Sequence, residues 1–254
     1  MALSVAVVSV TGLAPHAASA SEPTSAATQG CQASNAAHPG EVLDLANWKL
    51  TLPVNTSRAG SPDEVKAPEL ATFSQGPHFS LNDAKDGVVF RAHAGGATTE
   101  NSKYPRSELR EMTDHGKKNA SWSTTSGTHT MALTEAITSV PSAKPHVTAA
   151  QIHNGDDVIV IRLEGKRLFA DHDGENLGDL DTDYELGTIY TVKFVASGGR
   201  INVYYNDVLK IKHSAKTTGN YFKVGAYTQS NTSRGDKAGA YGEVVVYDLQ
   251  VTHE

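Results

Sequence analysis

Three stretches of this sequence carry side chains that could hold an anion and move a proton. The first is Tyr104-Pro105-Arg106-Ser107-Glu108-Leu109-Arg110-Glu111-Met112. In an extended strand successive side chains alternate between faces, so Arg106, Glu108 and Arg110 share one face, and Ser107, Leu109 and Glu111 the other. The second is Val147 to Asn154, where Gln151 and His153 share a face with small Ala149 and Ile152 points into the opposite layer. The third is Tyr221 to Gln229, which puts Tyr221, Lys223, Gly225, Tyr227 and Gln229 on one side and Phe222, Val224 and Ala226 on the other. Gly225 leaves room for something to approach the backbone. Pooled on one sheet face, Arg106, Arg110, Lys223, Gln151, His153, Glu108 and Tyr227 make a cationic, hydrogen-bonding surface with a neutral-pH base and a phenol. That chemistry suits a polymeric anion. Each segment alone would also fit a solvated outer strand.

The elements that position these groups are strands. After Glu41 the dominant period is two: Trp48, Leu50 and Leu52 alternate with polar neighbours, as do residues from His129 to Ile137. Tyr190 to Val195, a Gly198-Gly199 turn, Ile201 to Tyr205, an Asn206-Asp207 turn and Val208 to His213 read as a meander. Gly242 to Thr252 closes the chain. Helical turns are expected at most around Glu64 or Ala84. Many short strands with Gly-rich turns, and no repeat or second composition regime, predict one all-β domain, a sandwich or jelly roll.

The chain has 254 residues, 22 Lys+Arg and 28 Asp+Glu, a formal charge of −6. An acidic balance argues against a nucleic-acid or anionic-membrane partner, and no run later in the chain approaches ~18 apolar residues. Residues 1–20 read as an export signal ending in Ala18-Ser19-Ala20, although no Lys or Arg precedes Lys49. Residues 21–40, rich in Ala, Ser and Thr, read as a linker, leaving 41–254 as the domain. A secreted, extracellular monomer is expected. Cys31 is the only cysteine, so no intrachain disulfide forms. His153 has no close His or Cys partner and no His-Glu-x-x-His pattern occurs, so neither a metal nor another cofactor is expected. The acidic run Asp171 to Glu175, followed by Asp179, Asp181 and Asp183, departs from calcium-loop spacing and reads as a solvated turn.

Arg106-Ser107-Glu108-Leu109-Arg110, Gln151-Ile152-His153 and Tyr221 through Gln229 resemble, in that order, the three motifs of alginate lyases of polysaccharide lyase family 7. Asn47 to Pro53 matches a fourth stretch. The resemblance implies a β-jelly roll of two curved antiparallel sheets with alginate, an anionic polysaccharide, in a concave groove. It implies that Arg106, Gln151 and His153 surround the substrate carboxylate and that Tyr227 is the central acid and base. Glu108, Arg110, Lys223, Tyr221 and Gln229 map to supporting or sugar-binding positions.

The residue types fit β-elimination, in which the C5 proton leaves and the 4-O-linked sugar is expelled. Arg106 and Gln151 would stabilise charge gathering on the carboxylate, where one preorganised donor contributes ~3–4 kcal/mol. His153, ordinarily titrating near ~6.5, can accept a proton, and a phenol among cations can give or take one. In guluronate the C5 proton and the leaving oxygen lie on opposite faces, which favours His153 as base and Tyr227 as acid; in mannuronate Tyr227 could do both. Ile152 resembles the family variant linked to guluronate-containing blocks. Rival readings are a lyase for another uronan such as glucuronan, a glycoside hydrolase and a non-catalytic carbohydrate-binding module. The hydrolase needs two carboxyls facing one cleft, and Glu108 and Glu111 point to opposite faces. The stretch Ala94 to Lys103, with Gly95-Gly96 and Thr98-Thr99, suits a mobile lid.

Overall fold

The alternating patterns become strands in the computed structural model, which describes residues 1–2, 35–56 and 60–254. The expected export signal and Cys31 lie outside the described residues. Ala36 and Pro39, inside the stretch read as linker, are buried, and Pro39–Glu41 forms a 3-10 turn. The packed unit thus begins before Glu41.

In chain order the strands are β1 (Trp48–Thr51), β2 (Glu64–Lys66), β3 (Phe79–Leu81), β4 (Val88–His93), β5 (Arg106–Thr113), β6 (Lys118–Asn119), β7 (Thr128–Ser139) and β8 (His146–His153). They continue with β9 (Asp157–Glu164), β10 (Arg167–His172), β11 (Glu175–Asp181), β12 (Tyr190–Ser197), β13 (Arg200–Tyr205), β14 (Val208–Ser214), β15 (Tyr221–Thr228) and β16 (Tyr241–His253). One sheet runs β11-β10-β9-β8-β15-β5-β1-β2, with β6 attached to β5; the other runs β14-β13-β12-β7-β16-β4-β3. Neighbouring strands pair antiparallel. Glu64, expected in a helical turn, instead pairs with Thr51 as part of β2. Ala84 does sit in a turn, between β3 and β4.

The core lies between the sheets. Leu50, Leu109, Ile152, Phe222, Val224 and Ala226 from the first meet Phe90, Leu133, Ile137, Phe194, Val203 and Val244 from the second, all buried. Burying one such large side chain contributes ~1.5–3 kcal/mol. These inward rows fix which face of β5, β8 and β15 turns outward, because a one-residue slip would put Phe222 in water.

The meander forms as read, β12 to β13 to β14. Its turns need left-handed backbone at both central residues, supplied by Gly198 and Gly199 at φ 58 and 74 and by Asn206 and Asp207 at φ 47 and 62.

The close approach expected at Gly225 comes from within the protein. It sits at φ 133, where β15 bulges against β8 between Val224 and Tyr227. A Cβ there would meet the Ser107 carbonyl oxygen at 2.5 Å and Phe90 Cδ1 at 2.8 Å. The group that approaches this backbone is the neighbouring strand and the core, not a ligand. The bulge keeps Tyr227 outward while Thr228 stays buried, its hydroxyl donating to the Ala92 carbonyl.

Candidate active site

Chain order separates the three motif strands, but the sheet sets β15 between β8 and β5. Tyr227 pairs with Arg106, Gly225 with Glu108 and Lys223 with Arg110. On the other side Lys223 pairs with Gln151 and Tyr221 with His153. The outward row of three adjacent strands therefore gathers the charged groups into one patch, lining a cleft of about 530 Å³. The cleft runs across the strands, from Asp156, Asp157 and Asp173 on one side to Lys49, Thr51 and Glu64 on the other.

Glu108 is the hub, only 2% exposed. Its Oε1 accepts from Nε2 of Gln151; its Oε2 lies 2.6 Å from Nζ of Lys223 and 3.1 Å from an Arg106 guanidinium nitrogen. Burial alone would raise this carboxyl, but Lys223 and Arg106 outweigh it and hold it below the ordinary carboxylate range. Burial pulls the Lys223 ammonium down, and Glu108 resists. Glu108 and Lys223 thus spend their charge on each other and on Gln151 and Arg106, so they support the site. Gln151, 1% exposed, is clamped beneath them.

Arg106 also lies over the Tyr227 ring at 3.9 Å, and Arg110 over the Tyr221 ring at 3.9 Å. A guanidinium on a ring face is attracted by its negative quadrupole and holds the phenol in place. The Tyr227 hydroxyl is 2.8 Å from Oγ of Ser102, and Tyr104 meets the Tyr227 ring edge-on at 6.4 Å.

His153 is held from two sides. Its Nδ1 accepts from the Gly155 backbone N–H at 3.0 Å and lies 3.0 Å from the Tyr221 hydroxyl. A backbone N–H can only donate, so the neutral ring carries its proton on Nε2, 3.5 Å from Oδ1 of Asp157. Burial first, then the Lys223 charge, push the imidazole down to about 4. His153 is therefore uncharged at neutral pH.

This shift carries a stability signature. An unfolded histidine takes up its proton near ~6.5, while the folded one resists until about 4. The contribution is present above ~6.5 and is lost as the pH falls toward the folded value. Urea unfolding at about pH 7.5 and about pH 5 should show a smaller acid loss in His153→Gln than in the parent chain. Equal losses would refute the assignment.

The alginate lyase family model matches residues 43–253. The chain belongs to the alginate lyase family. The solved structure of alginate lyase AlgAT5 from polysaccharide lyase family 7 is 57% identical, with a TM-score of 0.83 over 86% of this chain and all of that one. A family 7 alginate lyase, A1-II', bearing His→Asn and Tyr→Phe substitutions and solved with substrate (GGMG), is 29% identical, with a TM-score of 0.72 over 86% of this chain and 97% of that one. A curated alginate lyase from Klebsiella pneumoniae is 26% identical over 85% of this chain and 91% of its own.

Set beside the alginate lyase motifs, Arg106, Glu108, Arg110, His153, Tyr221, Lys223 and Tyr227 do line one cleft. Gln151 and Gln229 do not. Gln229 follows the end of β15, buried, its N–H donating to the His146 carbonyl. Glu111 is on the opposite face, where it accepts from Trp122 Nε1, the Phe222 N–H and His253. The hydrolase reading therefore has no second carboxyl from this strand. Ser102, Asn101 and Thr99, which also line the cleft, escaped the motif reading, because nothing local marks a loop residue as a neighbour of Tyr227. Gly95 and Gly96 are anchors rather than hinges: their N–H groups bind the Ala238 and His93 carbonyls, and added Cβ atoms would meet Ala238 and Pro53 at 2.7 and 2.8 Å. The acidic run after Asp171 is a hairpin whose carboxylates have separate partners: Asp171 with Gly174, Asp179 with Arg167, Asp181 with Tyr205 and Asp183 with Lys166.

Proposed function

We propose that this chain cleaves alginate internally by β-elimination, with guluronate-containing blocks as its preferred sites. The observation that carries the reading is the single cleft in which Arg106, uncharged His153 and Tyr227 face outward around a Glu108–Lys223 pair that does not itself need the substrate. Arg106 meets the uronate carboxylate and stabilises the charge that moves onto it as the C5–H bond breaks. The electron pair forms the C4–C5 double bond, and the C4–O bond breaks as Tyr227 gives its proton to the leaving oxygen. Neither water nor a redox group enters that balance.

Guluronate asks His153 to take the C5 proton, so the ring proton must first move to Nδ1 and the Gly155 contact must open. The Gly155 contact supports a second reading. With the proton kept on Nε2, His153 serves as a neutral donor to the carboxylate and Tyr227 moves both protons, which suits mannuronate.

Ultraviolet absorbance of the unsaturated product, measured on guluronate-rich and mannuronate-rich blocks, distinguishes the two. Faster cleavage of guluronate-rich blocks is expected; faster cleavage of mannuronate-rich blocks would select the second reading. Binding with no rise in absorbance on any block would identify a carbohydrate-binding module. A rise on glucuronan alone would name another uronan. Early products of mixed size on chromatography are expected for internal cleavage. An N-terminal export signal fits a substrate too large to enter a cell intact.

A further inference from the structure

We propose that Ser102 is a positioning residue for Tyr227, a hydroxyl rotor that satisfies this tyrosine both as phenol and as phenolate. The inference rests on the lyase reading above and concerns a loop residue outside every motif.

Three contacts converge on one oxygen. Ser102 Oγ accepts from the Tyr104 N–H at 3.1 Å, donates to the Tyr104 carbonyl at 3.0 Å, and lies 2.8 Å from the Tyr227 hydroxyl. A serine hydroxyl owns one proton and two acceptor sites. When Tyr227 is a phenol, its proton goes to Ser102, whose own proton goes to the Tyr104 carbonyl, and every site is filled. When Tyr227 has released its proton to solvent, or to a leaving oxygen, the Ser102 hydroxyl swings to donate to the phenolate. No heavy atom moves.

The setting makes this switch matter. The face of the Tyr227 ring is covered by Arg106 at 3.9 Å, and Lys223 Nζ is 5.9 Å from the ring centre. Those cations act on the ring and leave the phenol oxygen itself without a charged partner among the contacts of the described residues. Ser102 supplies the one neutral group at that oxygen able to reverse its role. Hydrogen bonds to a charged group are roughly twice as strong as neutral ones, so the rotor favours the ionised form. The Tyr104 N–H, fixed by the turn in which Ser102 N–H binds the Thr99 carbonyl, keeps Oγ in place through either state.

The test is the pH dependence of kcat/KM on alginate for the full chain, Ser102→Ala and Ser102→Thr. In Ser102→Ala the limb of the profile set by Tyr227 should move up by about one pH unit, and kcat should fall about tenfold with KM little changed. Threonine keeps the hydroxyl and should return both toward the parent values. Tyrosinate absorbance, taken as the difference between each chain and its Tyr227→Phe counterpart, should show the same upward displacement. If Ser102 only braces the turn, Ser102→Ala will lower the melting temperature or kcat while the limb stays fixed, and that result overturns the proposal. A parent chain that yields no unsaturated product would instead overturn the lyase reading.

Discussion

Tyr227→Phe is expected to lower kcat on alginate by about a thousandfold while KM changes by no more than a few-fold. The substitution keeps the ring, and with it the Arg106 contact at 3.9 Å and the edge-on Tyr104 at 6.4 Å. Only the oxygen is lost, and with it the group proposed to protonate the leaving sugar. A positioned acid or base typically contributes 10²–10⁴-fold, so about 10³ is the middle of that range. The structural cost is small: the lost Ser102 contact is worth about 1 kcal/mol. Steady-state rates with oligouronates, beside calorimetric binding to the same ligands, separate the two effects. Activity within tenfold of the parent would remove Tyr227 from the centre of the mechanism.

The second large effect belongs to Glu108. Glu108→Gln leaves the Lys223 ammonium and the Arg106 guanidinium close together without their shared counter-charge, in a place where Glu108 was 2% exposed. Breaking a buried pair by removing one partner costs about 3–5 kcal/mol. A glutamine oxygen can still accept from one of the three donors, which sets the expectation toward the low end. Activity should fall as well, because Gln151 loses its anchor and Arg106 its orientation. Glu108→Leu with Lys223→Met removes both charges, and apolar replacement of a buried pair is often neutral. That double variant should recover most of the stability in urea titrations and none of the turnover. Loss of less than about 1 kcal/mol in Glu108→Gln would show that the hub is dispensable to the fold.

Much of this is legible in the sequence itself. Period two placed Arg106, Glu108, Arg110, His153, Lys223 and Tyr227 on outward faces because their inward neighbours, Leu109, Ile152, Phe222 and Val224, have nowhere to go but the core. What a single strand cannot disclose is its neighbour. The insertion of β15 between β5 and β8 is a long-range choice, so the bonds from Glu108 to Gln151 and Lys223 could not be read from spacing. At Gly225 the missing side chain marks a close approach but says nothing about which side is crowded, and here it is the Ser107 carbonyl and Phe90. Gln229 kept the parity of its strand on paper, but β15 ends at Thr228.

The position of β15 also says something about time. Arg110 and Lys223 are partners across adjacent strands although most of the chain's middle lies between them, and β5 to β8 are bridged only through β15. Closing such a loop costs entropy before any pairing offsets it, and folds dominated by distant contacts form slowly. Arg106, His153 and Tyr227 cannot meet until this late strand arrives. On the lyase reading the chain is thus chemically inert until β15 has paired with both of its neighbours, and the appearance of activity dates the closing of this sheet.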